Sequence, residues 1–343
     1  MISTRWPPLL GDPPTSGVIR NQPEDFVVTE IPAYLPSGSG EHLFVFIEKR
    51  DLTTERVVQA LADQLGMSPR EVGTAGLKDR RAVTRQWFSV PRTAGEHLSS
   101  FDLDGARVIE SGLHGNKLKT GHLKGNNFRI LVRDVDPGAW PEIERRSIRL
   151  LAGGVPNYYG PQRFGRDGRN EQIGLELLCG KRRQGRGRTL RLLLSAAQSA
   201  LFNDVLARRI ERELFGRALA GDVMVKADSG GIFTCDDPQL DQARMDAFEI
   251  HPTGPMFGPH MRTPQGEALA MESRVLESAG LGPDDFLRYG KLTRGTRRPL
   301  RIVPAGLAVA NAPAGIELSF DLPAGAYATS VLAEFFDYRE ASR

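Results

Sequence analysis

The chain has 343 residues, 40% of them hydrophobic and 25% charged, an ordinary globular composition with length for one large domain or two medium ones. A chain this long buries a sizeable core without staples, and its two cysteines, Cys179 and Cys235, lie far apart with no CxxC or Cys/His spacing, so neither a disulfide framework nor a zinc site is expected. The net charge of +3 excludes little; no stretch approaches membrane-spanning length, and the Pro-rich start MISTRWPPLLGDPPTSG lacks the apolar run of a signal peptide, so a soluble cytoplasmic protein is expected.

Residues 1–23 are turn-rich. PEDFVVTE, Pro23 to Glu30, opens a strand with β-branched residues, and HLFVFIEKR, His42 to Arg50, reads as a second, largely buried one. Thr54 to Gly66 reads as a helix, with Val57, Val58, Leu61 and Leu65 on one face and Gly66 as its stop. Ser68-Pro69-Arg70-Glu71 carries a capping box, which predicts a short helix ending near Gly73. The turn Gly73 to Gly76 leads into LKDRRAVTRQWFSV; Ala82 to Val90 has strand composition and Pro91 ends it, which leaves Asp79 in a loop. Asn126 to Val135 reads as a strand and Pro141 to Gly154 as a helix. Asn157 to Asn170, rich in glycine, aromatics and arginine, reads as a loop and a domain junction. Helices are expected at Ser195 to Phe215, Gly266 to Ala279 and Pro283 to Tyr289, with a small hairpin between the first two and a return linker near 291–301. LRIVPAG, GIELSFDLPAG and YATSVLAEFF then resume strand and helix patterns. The fold class is α+β, a helical insert within a strand-rich body.

Charge is unevenly spread. Between Ser111 and Arg133 no acidic residue accompanies Lys117, Lys119, Lys124, Arg129 and Arg133, and the runs KRRQGRGRTLR (181–191) and KLTRGTRRPLR (291–301) are basic only. Gathered by the fold, such blocks would neutralise a phosphate backbone; left apart, they are solvated loops. Nucleotide and metal motifs are absent: there is no GxxxxGK[ST], no GxGxxG before a helix and no HExxH, and the six histidines are scattered, so no cofactor and no metal are expected. Ser195 opens SAAQS and reads as an N-cap, and Cys179 as buried filler. The loop GTAGLKDRRAVTRQ is different. Asp79 lies between Lys78 and Arg80, with Arg81 beyond. Neighbouring cations favour an ionised carboxylate, which serves as a nucleophile, and the glycines ahead of it would let a large substrate approach. On its own, an Asp between cations in a turn is commonly a solvated charge.

GLKDRRAVTRQWFSV resembles the signature loop of the TruD family of pseudouridine synthases, and further segments resemble that family in the same order: PEDFVVTE, LKGNNFRI at 123–130, GVPNYYGPQRFG at 154–165, SAAQSALFNDVLARRI at 195–210 and LPAGAYATSVLAEF at 322–335. The resemblance spans nearly the whole chain. It implies that Asp79 is the catalytic aspartate, that Phe26 contacts substrate, and that Asn126 and Phe128 contact and stack on the target nucleotide. Tyr327 falls where many relatives carry phenylalanine, and Arg20 where relatives commonly carry lysine near the carboxylate, a change that keeps charge but not geometry. It further implies a catalytic domain with a mixed, largely antiparallel sheet, assembled from residues 1–154 and 301–343, with an inserted mixed α/β TRUD domain at 155–300. A cleft between them would hold tRNA, the uridine at position 13 of the D arm as target. Lys78, Arg80, Lys181, Arg182, Arg183, Arg186 and Arg188 are the expected RNA-binding cations. Two readings from other classes stay open at this point: a non-catalytic RNA-binding or RNA-chaperone protein, which would not need Asp79, and a metal-dependent nuclease, which would need several clustered carboxylates.

Overall fold

The computed structural model describes residues 6–95, 97–165, 167–182 and 187–341. In chain order its strands are β1 (Thr15–Ile19), β2 (Phe26–Pro32), β3 (His42–Arg50), β4 (Gly73–Thr74), β5 (Val83–Pro91), β6 (Ala106–His114), β7 (Leu123–Val132), β8 (Val155–Pro156), β9 (Val223–Lys226), β10 (Ile232–Thr234), β11 (Ile250–Met256), β12 (Thr296–Pro299), β13 (Arg301–Ile302), β14 (Ala305–Ala312), β15 (Gly315–Pro323) and β16 (Phe336–Glu340). The helices are α1 (Thr54–Gln64), α2 (Arg92–Gly95), α3 (Trp140–Gly153), α4 (Arg169–Leu178), α5 (Arg188–Glu211), α6 (Pro238–Asp246), α7 (Gly266–Ser278) and α8 (Ala328–Leu332).

Among the described residues the largest sheet has eight strands in the order β14-β15-β7-β2-β5-β3-β6, with β4 paired to β5. Only the β2–β5 pair is parallel, so the sheet is mixed and largely antiparallel. Its alternating strands bury one face against α3 and α8 through Ile19, Phe26, Val28, Ile130, Ile143, Leu150, Leu318 and Val331, and a second cluster under α1 joins Val45, Ile47, Val57, Leu61 and Phe88. Strand β15, made more than 180 residues after β7 in the chain, lies beside it in register Phe320↔Phe128, and β14 pairs with the outer side of β15. Between these two contributions the chain builds helices α4 to α7 and a four-stranded sheet in the order β10-β9-β11-β12, an α/β unit with its own core around Leu177, Leu194, Leu201, Phe257 and Phe286.

Several elements differ from what the sequence suggests. The Ser68–Glu71 box forms, with Glu71 Oε2 accepting from the Ser68 amide at 2.9 Å, but closes a single turn. The chain then leaves at once to pair Gly73 and Thr74 with Ser89 and Phe88, where a Cβ on Gly73 would lie 2.3 Å from the Leu118 carbonyl oxygen. Helix α5 starts at Arg188, so Ser195 is a mid-helix residue rather than an N-cap, and Arg188 and Arg191 are helical. The 291–301 segment is no linker: β12 completes the four-stranded sheet and β13 pairs with β8. Strand β6 and helices α4 and α6 are not anticipated in the sequence; β6 is an edge strand with no buried residue, whereas α4 seats Leu177 and Leu178 in the insert's core.

Candidate active site

The pleat of two neighbouring strands builds one wall. On β2 the residues Phe26, Val28 and Glu30 share a face, and on β7 so do Asn126 and Phe128, with Val28 opposite Phe128 and Glu30 opposite Asn126. Phe26 and Phe128 meet edge to face at 6.3 Å, and Phe128 also lies 5.5 Å from Phe320. Both rings are almost fully buried, at 2% and 7% exposure, so each serves the core as well as the pocket it borders. Asn126 Oδ1 is buried with no protein partner.

The loop between β4 and β5 hangs over this wall and is pinned at several points. Thr54 Oγ1, at the start of α1, accepts from the Lys78 amide at 3.0 Å and donates to Gln86 Oε1 at 2.9 Å, while Gln86 Nε2 donates to the Gly76 carbonyl. The Lys78 side chain turns inward to Glu30, Nζ to Oε2 3.0 Å, with both side chains at 5% exposure or less. Burial pushes the Glu30 carboxyl above its ordinary range, opposed by the Lys78 ammonium and the Trp87 amide. Lys78 is therefore a buried tether, which corrects the expectation that it faces RNA. Leu77 is left 64% exposed, and a Cβ at Gly76 would meet open space.

Asp79 is about a third exposed, and the cation beside it is neither sequence neighbour. Arg80 reaches outward to Asp51 at 3.6 Å; Arg20 Nη2 stands 3.1 Å from Asp79 Oδ2. Arg20 follows β1 with φ of 57°, a left-handed conformation that side chains rarely adopt and that costs on the order of 1 kcal/mol. That turn lays its guanidinium over the Phe26 ring at 4.1 Å and within 3.5 Å of Glu340. Arg81, from the loop itself, donates back to the Arg20 carbonyl at 3.3 Å and to the Ala341 carbonyl at 2.8 Å.

The opposite wall comes from two distant segments. Tyr327 precedes α8 and lies 5.8 Å from Tyr159, and burial pushes its phenol upward. Gly160 is seated so closely that a Cβ there would lie 2.5 Å from Thr329 Oγ1 and 3.0 Å from the Tyr327 ring. Two residues on, Gln162 brings Nε2 to 3.5 Å from Asp79 Oδ1. The stripe Ser195, Ser199 and Asn203 on α5 holds this loop: Arg163 donates to both serine hydroxyls, and Asn203 exchanges hydrogen bonds with the Tyr159 backbone at 2.9 and 3.0 Å. Arg298 donates to Asn157 Oδ1 at 2.6 Å and to the Gly325 carbonyl at 3.0 Å, which joins β12 to the Tyr327 turn.

Arg20, Phe26, Asp79, Asn126, Phe128 and Tyr327 thus line a single pocket of about 290 Å³, with Lys78, Leu77, Gln162 and Thr329. Nothing in the sequence singles out Gln162, although it lies inside NYYGPQRFG; its proximity to Asp79 is long-range and invisible in one dimension. A more apolar cavity of about 370 Å³ beneath Trp6, Tyr158 and Phe164 shares Thr329, but its buried Glu334 already accepts the Leu9 and Leu10 amides. Among the described residues no three His, Cys, Asp or Glu side chains converge as a metal site.

The cationic blocks divide. Lys181, Arg182, Arg188 and Arg191 are exposed, Arg182 reaching Glu176 at 3.5 Å; Arg183 and Arg186 lie outside the described residues. In the 291–301 block, Arg297 is buried against Glu272 at 2.8 Å, Arg298 serves Asn157, and Arg301 is buried on the Met245 and Ile250 carbonyls. These three arginines hold the fold together, which leaves Lys291 and Arg294 as the exposed cations of this block. Among the described residues no helix is long and apolar enough to cross a membrane.

Comparison with known proteins agrees along the chain's length. The family profile of tRNA pseudouridine synthase D (TruD) matches residues 9–185 and 186–335. The chain is 46% identical over 328 residues to tRNA pseudouridine synthase D of Anaeromyxobacter dehalogenans strain 2CP-1, covering 94% of this chain and 93% of that one. It is 47% identical over 334 residues to tRNA pseudouridine synthase D of Thermus thermophilus, covering 96% and 92%. A crystal structure from Methanosarcina mazei, described as a candidate tRNA pseudouridine synthase D, superposes with a TM-score of 0.74 over 98% of this chain and 95% of that one; at 23% identity it speaks for the fold. The chain belongs to the tRNA pseudouridine synthase D family.

Proposed function

We propose that this chain isomerises uridine to pseudouridine in tRNA, at position 13 of the D arm, with Asp79 as the nucleophile. One observation carries the reading: the sole carboxylate bordering the pocket among the described residues is oriented by Arg20 on one oxygen, while its other oxygen faces Gln162 over a wall of aromatics. The reaction breaks C1′–N1, rotates the uracil and joins C1′ to C5, moving one proton from C5 to N1 with no net redox change. Asp79 serves it by attack at C1′ or by the glycal route. The base must leave its stack to reach a pocket this size, so Phe128 and Tyr327 offer ring faces and Asn126 an amide for the edge. Phe26 carries Arg20 on its face and so sets the charge beside the carboxylate.

In this reading the catalytic domain comprises 1–154 and 301–343, the insert 155–300, and RNA lies along the cleft, gripped by Lys181, Arg182, Arg188 and the outward Arg80. The enzyme works in the cytoplasm, where its substrate is, without an added cofactor. The test is incubation with unmodified tRNA followed by pseudouridine mapping. The wild type should modify uridine 13, and Asp79→Asn should form no product while tRNA affinity stays within about threefold. Turnover by Asp79→Asn, or modification only elsewhere, would refute the assignment.

A further inference from the structure

Lys49 is the least expected charge in the molecule. It sits near the end of β3, its side chain wholly buried, and both hydrogen-bond acceptors of its ammonium are backbone carbonyls: Leu52 at 2.6 Å and Asp79 at 2.9 Å. The strands on either side place uncharged Thr84 and Ala106 opposite it. The charged groups around it are Asp79 and Lys78 from the loop, Glu55 from α1 and Asp51 just after β3. Asp79 attracts the ammonium most, Lys78 repels it, and burial outweighs both. Taking an ammonium out of water is expensive, and an uncharged donor would satisfy the same two carbonyls. A tether alone does not explain the charge.

Resting on the reading of Asp79 as nucleophile, we infer that Lys49 is a positioning residue for it: its ammonium fixes the Asp79 backbone by the carbonyl bond and supplies, from beneath the loop, a second positive charge complementing Arg20. The two cations divide the work. Arg20 orients the carboxylate from the pocket side, and Lys49 holds the peptide unit that carries it. Displacement of the reacting atom by a fraction of an ångström is costly at such sites, so the loss should fall on the chemical step rather than on RNA binding. Burial pushes the Lys49 ammonium down to about 8, which brings its loss of charge into an accessible pH range.

The experiment compares the full-length wild type, Lys49→Met and Lys49→Arg, with Asp79→Asn as reference. Single-turnover rates on unmodified tRNA are measured from about pH 6 to 9, beside filter-binding affinity and melting temperature. Expected are a wild-type rate that declines above about pH 8, a decline displaced to higher pH in Lys49→Arg, and a Lys49→Met rate lower by about 10–100-fold with tRNA affinity within about threefold. Should Lys49→Met not fold, the wild-type and Lys49→Arg profiles decide. A Lys49→Met rate within about threefold of wild type, or an alkaline limb that Lys49→Arg leaves in place, overturns the inference. Turnover by Asp79→Asn would instead remove the nucleophile assignment on which it rests; an inert Asp79→Asn beside unaltered Lys49 variants removes this inference alone.

Discussion

Replacing Lys78 by methionine isolates the buried pair that fixes the Asp79 loop. Lys78 and Glu30 lie 3.0 Å apart with almost no solvent access. Their attraction is about 5 kcal/mol at an effective dielectric of 20, and most of it offsets the loss of hydration on both sides. Methionine fills the volume of the lysine stem but leaves the carboxylate buried and unpaired, which costs about 3–5 kcal/mol. The sign with pH follows from Glu30. Its carboxyl is raised by burial even beside Lys78, and removing the ammonium raises it further. An acid raised on folding stabilises fully below its unfolded value and loses that contribution as pH rises through the folded value. The deficit of Lys78→Met should therefore be small near pH 5 and full near pH 8. Urea unfolding at both pH values measures it, and Glu30→Gln combined with Lys78→Met should recover most of the loss. A deficit under about 1 kcal/mol at pH 8, or one independent of pH, would refute the reasoning.

Burial likewise pushes Glu334 up to about 7, against the Leu9 and Leu10 amides and Arg146, so wild type should lose on the order of 3 kcal/mol relative to Glu334→Gln between pH 5 and 8; parallel stability curves would count against it, whatever constant offset the missing amide acceptor adds. Replacing Lys181, Arg188 and Arg191 with glutamate should weaken tRNA binding at all sequences and flatten the slope of log K against log salt by roughly one for each phosphate no longer neutralised; unchanged affinity and slope would mean the block does not face RNA. Phe128→Ala should cost about 3–5 kcal/mol because the ring is wedged between Phe26 and Phe320, and should also slow the single-turnover rate. Phe128→Tyr should retain much activity, whereas a stable, fully active Phe128→Leu would rule out stacking on the base.

The strands and helices with strong periodicity were legible: β3 and the start of α1 lie where the pattern puts them, and α3 begins one residue early. The site was legible as a set of residue types but not as a geometry. Asp79 reads as flanked by Lys78 and Arg80, yet folding turns one inward and the other outward and brings in Arg20 from 59 residues away. Which way a lysine points depends on whether a carboxylate waits beneath it, and Glu30 is recognisable as that carboxylate only once β2 lies beside β5, where the Trp87 amide also reaches it. The same limit hides the burial of Arg297, Arg298 and Arg301, whose run looks like a surface patch until Glu272, Asn157 and two carbonyls are placed around it. A hydrophobic period reports which face of an element is covered; it carries no information on which charges find partners.

The late strands have a consequence for the order in which the enzyme comes into being. When the Asp79 loop is synthesised, more than three-quarters of the chain is still unmade, its sheet has no β15 to lie beside β7, and Tyr327 does not exist. The parallel pairing of β1 with β16, Thr15 to Phe336, must wait for the last strand and seats the one that ends at Arg20's partner Glu340. Contacts at such separation form slowly. During synthesis the aspartate therefore waits without its opposite wall, and the pocket it shares with Tyr327 is complete only once the final segment has been made.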